Sequence, residues 1–139
     1  NIPGNPIVIL VDFQPFFALK NEIYTEMWNH YQVDSLHAYG DYDEASMFSY
    51  AAGKVVESFY RYNLTETDKV IYQAHEWMTG MGALYLQTAV PEIATIFTTH
   101  ATSIGRSITI ISSLTMAIRW RKSSICNPNT PLKNRLRTM

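Results

Sequence analysis

The stretch from Lys69 to Arg106 constrains this chain more than any other. Two short apolar runs, residues 70–74 and 93–99, lack the polar alternation of a half-exposed strand. They read as neighbouring strands of a parallel sheet covered on both faces. Between them Trp77, Met81, Leu84 and Thr88 recur at helical spacing over residues 76–88, and Pro91 cannot continue that helix past Val90. The pattern predicts one strand–helix–strand unit in an α/β fold. In open α/β sheets ligands bind just beyond the carboxyl ends of the strands. Each strand here ends near a histidine, His75 and His100, so both imidazoles are expected at one crevice.

Upstream, residues 7–11 (IVILV) form a β-branched run that predicts a first strand ending at Asp12, a further cleft candidate on topology alone. Residues 13–17 are aromatic and broken by Pro15, a loop that must pack against something. Asn21 is expected to cap a helix running to Tyr31, with Glu22 in its first turn and Ile23, Met27, Trp28 and Tyr31 as its buried stripe. A turn at residues 40–44 leads into a longer helix, residues 44–62, whose core stripe reads Phe48, Ala51, Ala52, Val55, Val56 and Phe59. Asp41, Asp43 and Glu44 lack a partner cluster, so they read as an acidic helix N-terminus rather than a metal site.

Composition narrows the class. The 139 residues are 47% hydrophobic, enough for one modest core, and no run reaches the ~18 apolar residues of a membrane span. A single cysteine, Cys126, excludes an intrachain disulfide and a multi-cysteine metal site. The first residues lack a basic region leading into an apolar run, which argues against a signal peptide, and a cytoplasmic location is expected. On that ground Asn63-Leu64-Thr65 is a chance glycosylation match.

The string HEWMTGMGALYL (residues 75–86) followed by PEIATIFTTHATSIGR (residues 91–106) resembles the glycogen synthases of the animal, fungal and Bacteroides-like type. The likeness extends upstream through VDFQPFFALKNEIYTEMW and VDSLHAYGDYDEASMFSYAAGKVVESF, covering roughly residues 4–107. It implies part of the N-terminal Rossmann-like domain of a two-domain (GT-B) retaining glycosyltransferase. Such enzymes move glucose from UDP-glucose to the non-reducing end of an α-1,4-glucan, without metal or cofactor. The resemblance implies a catalytic-cleft role for Glu76 and substrate-binding roles for His75, His100 and Arg106. It implies a homo-oligomeric full-length enzyme, with no nucleic-acid or membrane partner. Trp77 reads as core rather than as a sugar platform. The glycine-rich loop and the second nucleotide-binding domain of the family have no counterpart in these 139 residues.

The chemistry fits those residue types. Departure of a nucleoside diphosphate needs cationic or N–H stabilisation, which Arg106 offers after a Ser-Ile-Gly turn. His100, between threonines, suits a sugar hydroxyl. Each also has a plainer reading: Glu76 as a dipole-matched helix start, Arg106 as a surface ion pair, His100 as a structural histidine.

Charge divides the chain sharply. Residues 1–107 hold all twelve acids against five basic residues, a net −7, whereas residues 108–139 hold six basic residues and no acid. Composition there suggests a basic, poorly ordered tail. A shifted reading frame gives another account. Taking the last base of each codon with the first two of the next, residues 115–134 can decode as YNGDQMAEELNMQSKHSIEK, which resembles the continuation of the Bacteroides-type enzymes. Residues 108–139 are therefore expected to be out of frame. The alternative is a non-catalytic glucan- or protein-binding module with a genuine basic tail.

Overall fold

The computed structural model describes residues 3–36, 38, 40–65 and 67–99. In chain order they form a 3-10 turn (Gln14–Leu19), α1 (Lys20–Tyr31), α2 (Tyr42–Asn63), β1 (Ile71–His75), a second 3-10 turn (Trp77–Thr79), α3 (Gly80–Ala89) and β2 (Ala94–Thr98). The two strands pair in parallel, with Ile71 opposite Ala94 and His75 opposite Thr98. The strand–helix–strand unit is therefore present, and His75 lies at the carboxyl end of the pair.

The core gathers where α3 meets α1, α2 and the inner face of the sheet. Ile23 and Met27 from α1, Met47 and Tyr50 from α2, and Met81, Leu84 and Leu86 from α3 are buried together with Val33, Ala74, Val90 and Ile93. Tyr31 ties α1 to α3, its hydroxyl donating to the Leu84 carbonyl at 2.7 Å. Arg61 closes the other end of α3 by donating to the Ala89 carbonyl at 3.0 Å, one of the acceptors a helix C-terminus leaves open.

The crossing of α2 and α3 corrects the expected stripe. Ala51 is buried and Val56 packs against the core as expected, but Phe48 and Phe59 are 39% and 51% exposed, while Ser46, Ser49 and Gly53 are buried. Small residues face α3 because the two backbones nearly touch. A Cβ on Gly82 would lie 2.2 Å from the Ser49 carbonyl oxygen, and one on Gly53 3.0 Å from the Tyr85 ring. Ser49 Oγ accepts the Gly82 N–H at 2.7 Å, satisfying a donor at the start of α3. Phe48 instead meets the aromatic turn: Phe13 packs edge-on against it at 5.7 Å, and Phe16 against Tyr50 at 5.8 Å.

Other boundaries shift for local reasons. Asn21 caps nothing, because the 3-10 turn runs directly into α1 and Leu19 precedes its first residue. Trp28, expected inside, is 48% exposed. Residues 5–13 form no strand, and Ile7 and Leu10 are 94% and 93% exposed. A β-branched run becomes a strand only against a partner edge, and no described residue supplies one. Among the described residues one face of β1 is covered and the other is not: Ala74 is buried and Tyr72 half-buried, whereas Ile71, Gln73 and His75 are exposed.

The acidic group reads correctly as a helix start, with Asp43 and Glu44 in the first turn of α2. Asp43 accepts from Lys20 Nζ at 2.7 Å and from the Tyr24 hydroxyl at 2.6 Å. Partial burial opposes its ionisation, but these bonds and the Lys20 charge outweigh that and lower its pKa. The Tyr85 hydroxyl bond acts likewise on Glu57, outweighing burial with help from Arg61 and Lys54. Both carboxyls thus titrate below their ordinary values of 3.8 and 4.5. As pH falls from those values toward the lower folded ones, the unfolded state binds more protons, so stability declines. Urea unfolding is expected to give a lower midpoint at about pH 3 than at about pH 7. Lys20→Met is expected to shrink that drop; an undiminished drop contradicts the assignment to Asp43.

Candidate functional site at the carboxyl ends of the strands

β1 does not run straight into a helix. Glu76, expected in the first helical turn, precedes it with φ 63° and ψ 168°, a backbone region that residues with a Cβ rarely occupy. Holding a non-glycine residue there costs about 1–3 kcal/mol, and such strain clusters at ligand-binding and catalytic positions. The chain then makes one 3-10 turn before α3 begins at Gly80.

Hydrogen bonds fix this corner on both sides. The Glu76 N–H donates to the Thr98 carbonyl at 2.8 Å, joining the ends of β1 and β2. The Thr79 N–H donates to the Glu76 carbonyl at 3.1 Å. Thr79 Oγ1 donates to the His75 carbonyl at 2.6 Å, with the Glu76 carbonyl 3.1 Å away as second acceptor. Gln73 Nε2 reaches Thr98 Oγ1 at 3.5 Å across the outer face.

The turn is anchored from behind by Trp77, which is half-buried and stacks parallel to Tyr42 with ring centroids 6.2 Å apart. Tyr42 is itself buried, and its hydroxyl shares a 3.0 Å hydrogen bond with Ser35. Trp77 therefore packs, as the sequence suggests, and fixes the 3-10 turn against the start of α2. His75 is exposed and Glu76 half-buried, side by side at the strand terminus. His100 and Arg106 lie outside the described residues. Thr79 was not singled out by sequence; the readable signal was a threonine three and four residues after the Glu-His pair, where its hydroxyl can reach their carbonyls. Asp12 ends no strand among the described residues; it is exposed and accepts the Gln14 N–H at 3.1 Å. Among the described residues no three His, Cys, Asp or Glu side chains converge as metal ligands would.

A parallel strand–helix–strand unit with a strained acidic residue at its carboxyl edge defines a mixed α/β protein. The chain belongs to the glycogen synthase family, whose profile matches residues 1–115. It is 31% identical over 105 residues to a Neurospora crassa glycogen [starch] synthase, covering 76% of this chain and 15% of that protein. The Caenorhabditis elegans glycogen [starch] synthase is 29% identical over 107 residues, covering 77% and 16%. The liver glycogen [starch] synthase of Rattus norvegicus is 31% identical over 107 residues, covering 76% and 15%. The chain thus spans about 15% of the length of these curated relatives. No solved structure matches it.

Proposed function

We propose that residues 1–107 are part of the N-terminal Rossmann-like domain of a GT-B glycosyltransferase that moves glucose from UDP-glucose to the non-reducing end of an α-1,4-glucan with retention. Family membership supports this reading, and so does the strained corner at His75-Glu76, where an α/β sheet receives its ligand. In this proposal Glu76 is the cleft carboxylate beside the transferred sugar. It offers negative charge near an oxocarbenium-like transition state. His75, His100 and Arg106 bind substrate, with Arg106 neutralising the diphosphate as UDP departs. The setting is cytoplasmic; among the described residues no helix is long and apolar enough to cross a membrane. The complete enzyme is proposed to be a homo-oligomer.

Residues 108–139 enter this proposal as an out-of-frame continuation. Sequencing the gene from the Gly105 codon to well past Met139 tests it. An inserted or missing base, followed by an open second nucleotide-binding half, is expected. A clean frame with a stop after Met139 overturns the proposal and favours a binding module with a genuine basic tail.

A further inference from the structure

We propose that Thr79 is a positioning residue that holds Glu76 in its strained backbone conformation. The argument rests on the two peptide planes flanking Glu76. The orientation of the 75–76 peptide sets φ at Glu76, and both of its polar groups are taken: its carbonyl accepts the Thr79 hydroxyl at 2.6 Å, and its N–H donates to the Thr98 carbonyl at 2.8 Å. The 76–77 peptide sets ψ, and its carbonyl accepts the Thr79 N–H at 3.1 Å, with the Thr79 hydroxyl also 3.1 Å away. Thr79 therefore acts on both dihedrals of Glu76. Without the hydroxyl, the 75–76 peptide loses the bond to its carbonyl, and rotation toward an ordinary conformation relieves the strain. Thr79 is itself fixed, because its turn is pinned by the Trp77–Tyr42 stack and runs directly into α3.

The functional meaning rests on the reading of Glu76 as the sugar-facing carboxylate, since a preorganised acid spares the reaction the cost of orienting it. The test is free of sugar, so it can fail while that reading stands, and the reverse. Amide hydrogen exchange is measured by nuclear magnetic resonance on the full chain carrying Thr79→Val or Thr79→Ser. Thr79→Val is expected to speed exchange at the Glu76 amide about tenfold while the Leu86 amide in α3 stays within about threefold. Thr79→Ser, which keeps the hydroxyl, is expected to hold Glu76 near its original rate. In a Glu76→Gly background the same φ carries no Cβ penalty, so the effect of Thr79→Val on that amide is expected to shrink below about threefold. Thr79→Ala is the second hydroxyl-free variant should valine prevent folding. An unchanged Glu76 rate, a rise shared equally by Leu86, or an equal rise in the glycine background overturns the proposal.

Discussion

Replacing Gly82 by alanine is expected to destabilise the chain by about 3 kcal/mol or more, at the upper end of overpacking effects. The new methyl would sit 2.2 Å from the Ser49 carbonyl oxygen, which is backbone inside α2 and cannot swing aside. Relief requires α2 and α3 to separate, and separation breaks the buried 2.7 Å bond from the Gly82 N–H to Ser49 Oγ. Gly53→Ala makes a milder comparison, because its Cβ would meet the Tyr85 ring at 3.0 Å and the Gly82 Cα at 3.2 Å. Chemical denaturation of both variants checks the order: Gly82→Ala well below Gly53→Ala, and Gly53→Ala below the parent. Equal stability of Gly82→Ala and the parent contradicts the close crossing. The crossing matters for the site because α3 carries the Trp77–Thr79 turn at its start, so moving α3 moves the corner at Glu76.

Replacing Glu76 by glutamine in a catalytically active protein that carries this segment is expected to lower kcat about 10²–10³-fold, the range for loss of one group that stabilises transition-state charge. Glutamine keeps the shape and the backbone strain and removes the charge, so the loss reads the chemistry and not the fold. Glycine separates the two effects in the other direction. Glu76→Gly removes the Cβ that makes φ 63° costly and is expected to raise stability by about 1 kcal/mol, the strain relief less the extra entropy of an unfolded glycine. Glu76→Ala keeps that Cβ and is expected to bring no such gain. A glycine variant no more stable than the alanine variant contradicts strain at this position. Stability gained as activity falls is the behaviour of a residue kept for function.

The sequence revealed the strand–helix–strand unit and both long helices because Ile23 and Met27 in α1, and Met81 and Leu84 in α3, recur at helical spacing into one core. It placed His75 at a strand terminus because the apolar run of residues 70–74 ends there. The conformation of Glu76 was hidden, since left-handed backbone is announced by glycine or asparagine and a glutamate between His75 and Trp77 announces a helix start. The face of α2 was misread because periodicity ranks Phe48 and Phe59 above Ser49 and Gly53. A backbone contact selects small residues over apolar ones. Residues 7–11 carry the composition of a strand, yet strand formation depends on an edge elsewhere in space that local pattern does not encode.

The most direct measurement is glucan-dependent release of UDP from UDP-glucose by the protein read from the resequenced gene, beside the 139-residue chain. The account predicts release that requires glycogen in the first and none in the second. A folded, frame-restored protein that releases no UDP in the presence of glycogen contradicts it, as does release by the 139-residue chain alone.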